Sequence, residues 1–172
     1  MRLYRNGYIV AKVNDYDNFS YNSWPLTKIK DDEVVDGLID EADDKWFTVF
    51  DMQEVAPDLD YAIRYADYCK ELGIEAVILL AETSDSDFEV NDDICIEEVY
   101  GFDCIGTVYF SYLRAEAKDF KEELHLNRYG LFDTIEDVDK YIELRREVIE
   151  SGVNLEDYWK ETPIRLSKVK RN

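Results

Sequence analysis

The sequence predicts a single α+β or α/β domain over residues 1–172, built on a mixed β-sheet of about five strands with two main helices packed on it. Three observations carry that expectation. Apolar residues make up 46% of the 172-residue chain, enough to close one core. Residues 46–81 read as strand, helix and strand in direct succession. No repeat and no linker rich in Pro, Gly or Ser divides the chain.

The central stretch is the clearest. Trp46, Phe47, Thr48, Val49 and Phe50 are aromatic or β-branched, as strands prefer. Pro57 suits the first turn of a helix, where its missing N–H costs nothing. Leu59, Ala62, Ile63, Ala66, Cys69 and Leu72 recur at helical spacing and share one face. Gly73 stands where a left-handed residue would end that helix. Ala76 to Ala81 is an unbroken apolar run of strand length, expected to be buried on both faces. Together these predict one βαβ unit with a right-handed crossover. Two antiparallel strands with the helix laid across them are the alternative.

Ahead of this unit, Asn6-Gly7 is a hairpin-turn signal and Tyr8 to Val13 reads as the strand that follows it. Residues 14–25 mix Asn, Asp and Ser with Tyr16, Phe19, Tyr21 and Trp24, a loop by composition. Exposed, these aromatics would form a binding surface. Folded back, they would cover the core, the more common fate of large rings. Residues 31–55 hold ten acidic residues and one Lys. Val34, Val35, Leu38 and Ile39 allow a short amphipathic helix there, which Gly37 weakens.

Beyond the unit, residues 82–98 carry eight acidic residues and no basic one. A turn is expected at Asn91 to Asp93 and a short strand at Ile94 to Ile96. Val99 to Leu113 reads as a longer strand, with bends or bulges at Gly101 and Gly106. Ala115, Ala117, Phe120 and Leu124 would line a helix within 114–126. Asp133 and Glu136 form a capping-box pattern that opens the last helix. Its inner stripe is Val138, Tyr141, Ile142, Arg145, Val148 and Ile149, and its outer face carries Glu136, Asp139, Glu143, Glu147 and Glu150. Ile164 to Lys170 is expected as a final edge strand, its Lys and Arg guarding the open edge.

Charge is the strongest functional signal. Forty acidic against twenty basic residues give −20. Such a chain repels nucleic acid and acidic lipid and attracts basic partners; the same charge also serves plain solubility. Cys69, Cys95 and Cys104 have no metal or redox spacing and read as reduced thiols. Met1 to Asn14 lacks the apolar core of a signal peptide, and no stretch has eighteen apolar residues in a row, so the expected location is cytoplasmic.

Catalytic equipment is sparse. His125 is the sole histidine, which leaves Ser–His and Cys–His designs a single base in a charged segment. No glycine-rich phosphate loop is present. Asp87, Glu89, Asn91 and Glu98 match a calcium loop in part, but Asp92 stands where the loop needs Gly. Asp51, Glu54 and the 82–98 run supply carboxylates for a metal-dependent enzyme only if the fold brings them together.

The reading that follows is a non-enzymatic acidic binding protein without cofactor or metal, one that neutralises a basic, nucleic-acid-handling protein. Its expected contact residues are Asp85, Asp87, Glu89, Asp92, Asp93, Glu97 and Glu98 in the acidic run, with Tyr16, Phe19, Tyr21 and Trp24 in the aromatic loop. In size, charge and lack of catalytic groups the chain is similar to small acidic proteins of bacteria and their phages, among them immunity proteins and inhibitors of host defence. That likeness assigns no residue a role. A carboxylate-based metal enzyme and a structural subunit are the alternatives.

Overall fold

The computed structural model describes residues 2–15, 23–29, 56, 58–84, 89–105, 111–116, 120, 123–152 and 161–171. Among them are strands β1 (Tyr4–Val13), β2 (Leu26–Lys28), β3 (Val77–Thr83), β4 (Ile96–Ile105) and β5 (Thr162–Val169). Helices α1 (Leu59–Glu71), α2 (Tyr112–Glu116) and α3 (Ile135–Glu150) complete the described architecture. The strands form one sheet in the order β2-β1-β3-β5-β4. Every pairing in it is antiparallel, so the described sheet is not mixed.

The expected βαβ unit is not formed by the described residues. Its first strand, 46–50, lies outside them. Ahead of the Asp58 that precedes α1, Ala56 is described, and it exchanges two backbone bonds with Tyr8, at 2.8 and 2.7 Å. Tyr8 also stands opposite Leu80 of β3. Its backbone bonds point away from β3, so β1 lies between Ala56 and β3. The helix expected within 31–44 also lies outside the described residues.

α1 forms where the periodicity places it. Asp58 caps it, its side chain accepting the Tyr61 N–H at 2.7 Å. Tyr61 and Tyr65 join Ala62, Ala66 and Cys69 on the buried face. That face packs on Tyr8, Val10, Ile78 and Leu80. The alternate residues Leu79 and Ala81 meet Ile9, Ala11, Ile164 and Leu166 on the other face of the sheet. β3 is therefore buried on both sides, as its apolar run requires, although its neighbours run antiparallel. Each large apolar side chain so buried contributes about 1.5–3 kcal/mol.

Three sequence expectations are corrected. Asn6-Gly7 does not turn the chain but makes a bulge inside β1, where the register shifts between Arg5 and Gly7. The Asn6 side chain donates to Thr83 Oγ1 at 2.9 Å and accepts the Thr83 N–H at 3.3 Å, which ties the bulge to β3. β5 is not an edge strand: it is inserted between β3 and β4. Its cations find acidic partners on both neighbours, Arg165 with Glu82 at 2.7 Å and Lys168 with Glu97 at 2.9 Å. Pro163 stands one residue beyond the last β3 pair, Thr83–Ile164, where no bond to β3 is needed from its nitrogen. The long strand expected over 99–113 ends at Ile105, and Tyr112 and Leu113 belong instead to the five-residue α2, buried in the core. Of the helix expected within 114–126, the described residues show only 114–116 as helix, at the end of α2, and Phe120 and Leu124 are not helical; the two long helices are α1 and α3.

α3 starts one residue later than the capping-box pattern suggests. Thr134 is the cap, its hydroxyl accepting the Asp137 N–H at 3.2 Å and donating to the Asp137 carboxylate at 2.7 Å. α3 packs on Cys104 and the half-buried Phe102 through Val138, Tyr141 and Ile142. Register puts Phe102 opposite Arg165 and Cys104 opposite Pro163, on the β5 face that also bears Val169. Val169 belongs to the α1 core. Both long helices therefore cover one face of the sheet. The opposite face is covered by Tyr100, Tyr129 and Leu131, with Gly101 allowing the Phe132 carbonyl to approach at a φ of +137°.

Candidate functional site

The acidic run is held largely by the chain itself. Glu97 takes the Lys168 ammonium. Glu98 accepts from Arg128 and from the Tyr129 hydroxyl, both at 3.0 Å. Glu89 faces Arg2 at 3.7 Å. Asp92 accepts the Tyr8 hydroxyl at 2.7 Å; burial first, and then that contact, pushes the phenol up from its ordinary value. Asp93 is exposed, with no ion pair among the described residues. Asp85 and Asp87 lie outside the described residues, as do Tyr16, Phe19 and Tyr21. Trp24, 2% exposed, sits over Gly130 and joins Cys104, Phe132 and Tyr141 in the core. It covers the core and is no surface anchor.

Eight of the chain's twenty cations are held in the same way. Arg2, Arg128, Lys140, Arg145, Arg146, Arg165, Lys168 and Arg171 each hold a carboxylate of their own chain. With forty acidic residues to twenty basic ones, the surplus carboxylates remain.

They are ordered on α3. Glu136, Asp139, Glu143, Glu147 and Glu150 are all exposed and succeed one another at spacings of three and four along this 16-residue helix. At a rise of 1.5 Å per residue they form a column with a charge every ~4.5–6 Å. None of their side chains holds an ion pair among the described residues. From Asp139 onward the column opposes the electrostatics of its own helix, whereas Glu136 in the first turn is favoured by the dipole. Asp139–Glu143 and Glu143–Glu147 are like-charge pairs at i,i+4, each costing about 0.2–0.5 kcal/mol. Glu147 and Glu150 lie at the negative end of the macrodipole, and the last turn has no basic residue.

Beneath α3 lies a buried ionic cluster. Arg145 is 1% exposed and donates through Nε to both oxygens of Glu116 at 3.0 Å, and through Nη1 to Glu161 at 3.1 Å. Tyr141 donates its hydroxyl to Glu116 at 2.6 Å, and the guanidinium lies 4.0 Å from the Tyr112 ring centre. Burial, then the Glu116 charge, pushes the Tyr141 phenol up. Burial likewise pushes the Cys104 thiol up, with Asp103 beside it, so that thiol is not activated as a nucleophile. His125 is exposed beside a cavity of about 170 Å³ that also touches Asp137 and Lys140.

A larger cleft, of about 460 Å³, opens between α1, the end of β5 and residues 93–95. Sequence reasoning misses it because its walls come from segments about a hundred residues apart. Its one visible signal is the apolar Ile94-Cys95-Ile96 triplet directly after the acidic turn.

Among the described residues, no three His, Cys, Asp or Glu side chains are grouped to hold a metal ion. Asp51 and Glu54 lie outside those residues. No helix among them is long and apolar enough to cross a membrane. No protein-family description, curated protein or solved structure matches the chain.

Proposed function

We propose that the protein is a non-enzymatic acidic binding protein whose α3 face docks on a basic surface of a protein partner, such as the groove of a nucleic-acid-handling enzyme. The α3 column carries this reading. A helix that sets five carboxylates in a row, the last two at the negative end of its dipole and none with an ion pair among the described residues, gives up stability that other residues would restore. Surrendered local stability of this kind is typical of functional surfaces. A regular line of negative charge offers a basic groove what a phosphate backbone offers it. Long-range attraction then speeds association.

The test compares the tagged protein with a Glu143→Lys/Glu147→Lys/Glu150→Lys variant in capture from host lysate at about 0.05 M and about 0.5 M salt. The expected result is a basic protein held by the unaltered chain at low salt, released at high salt or by duplex DNA, and not held by the variant. Capture that is indifferent to salt and to the reversals would refute the reading.

A further inference from the structure

We propose that the cleft between α1 and the C-terminal end of β5 receives an apolar side chain of the basic partner, and so supplies the anchor that the α3 column lacks. The inference rests on the binding role argued above and assigns the partner a second feature, a protruding aromatic or aliphatic residue beside its positive surface.

The cleft has an apolar floor and a charged rim. Leu59 and Ile63 of α1, Ile78 of β3 and Val169 of β5 line it, and Ile94 closes one side. Its wall is held in place by the Lys170 N–H, which donates to the Cys95 carbonyl at 2.8 Å. The rim is electrically balanced. Asp67 and Arg171 pair across it, and Asp93 and Lys170 carry one charge of each sign. The cleft therefore favours neither sign of charge, and the charge that attracts the partner sits elsewhere, on α3. Column and cleft lie on the same, helix-bearing side of the sheet.

The surroundings select a protein over a small molecule. Apolar surface does not stop at the rim. Ile96 pairs with Val169, a lining residue, and Val99 pairs with Ser167 on the same face. These two are 37% and 52% exposed. An enclosed small-molecule site buries its apolar wall around the ligand, whereas this one runs out onto open sheet, as protein hot spots do. A second copy of the chain is disfavoured, because two molecules of −20 repel.

The experiment uses a short lysine-rich peptide with one central Trp, and a twin with Gly in that place. Binding is measured by calorimetry, and occupancy of the cleft by the rate at which Cys95 is alkylated. Cys95 is the exposed thiol, since Cys69 and Cys104 are buried. The Trp peptide is expected to bind at least ~10-fold tighter than its twin and to slow alkylation of Cys95, which the twin leaves unchanged. Ile96→Ser/Val99→Ser, both exposed and safe for folding, and separately Ile63→Asp, should reduce that advantage to about 2-fold while the twin binds as before. Equal affinity of the two peptides, or an advantage untouched by these substitutions, overturns the inference and leaves the acidic-surface reading standing. Protection of Cys95 by free indole at the same concentration overturns it in favour of a small-molecule site. A dimer in sedimentation that Val99→Ser dissolves overturns it in favour of self-association. Loss of binding by both peptides removes the acidic-surface reading and the cleft inference together.

Discussion

At the scale of single residues, Arg145 decides how the α3 end of the domain holds together. Its guanidinium joins Glu116 of α2 to Glu161, the residue that leads into β5, and stacks on Tyr112. A buried ion pair adds little net stability over an apolar pair of the same shape, but removing one partner leaves the other charge buried alone. Arg145→Met should therefore cost about 3–5 kcal/mol in urea unfolding, with a fall in melting temperature of roughly 6–20 °C. Adding Glu116→Leu to Arg145→Met should return part of that loss, because the orphaned carboxylate goes with its partner. A double variant less stable than Arg145→Met would show that Glu116 stabilises through Tyr141 more than through Arg145. Nothing in the chain's local pattern announces this cluster. Arg145 is legible only as an odd polar member of an apolar stripe, and Glu116 and Glu161 reach it from distant segments on either side.

At the scale of elements, what is legible is what local spacing dictates. α1 and its cap region, the doubly buried β3 and the two faces of α3 follow from periodicity and turn chemistry within one segment. What is not legible depends on which segments meet. Antiparallel pairing leaves no mark on β3 that parallel pairing would not, and the basic spacing of β5 serves an edge and an acidic neighbour equally well. The acidic run at 82–98 reads as free charge because Lys168, Arg128 and Arg2, which hold Glu97, Glu98 and Glu89, are distant in sequence. Trp24 is misjudged for the same reason: its seat over Gly130 is long-range. The α3 column, by contrast, is fully visible as an outer face, and its meaning comes from the cations the fold withholds from it. Glu147→Lys tests that meaning. The new cation makes a favourable pair with Glu143 at i,i+4 and stands at the negative end of the helix, so stability should rise by about 0.5–1 kcal/mol in thermal melts. Partner capture should weaken in the same variant. A gain in stability with no loss of capture would make the column a solubility device.

At the scale of the whole molecule, the same excess of carboxylates sets a limit at high pH. Burial is the first cause that raises the phenols of Tyr8, Tyr100 and Tyr141 above their ordinary value of 10.0, and each has acidic neighbours that add to it: Asp92, Glu98 and Glu116. A phenol whose folded pKa is raised keeps its proton in the native state longer than in the unfolded chain. Its contribution is thus fully present below pH ~10, the unfolded value, and is lost as pH climbs toward the folded one. Unfolding free energy should stay nearly level from pH ~7 to ~9.5 and then fall, each buried phenol steepening the slope toward about 1.4 kcal/mol per pH unit. Rising negative charge on a chain already at −20 acts in the same direction. Urea unfolding across this range, followed together with tyrosinate absorbance, distinguishes the two causes. Loss of stability that added salt removes comes from general repulsion, which is screened over a Debye length of about 10 Å at 0.1 M. Loss that persists in salt, and lessens in Tyr141→Phe, comes from the buried phenols. Tyrosinate absorbance that appears in full while the fold stays intact would refute the burial of these rings, and with it the packing that holds α3 and its acidic face in place.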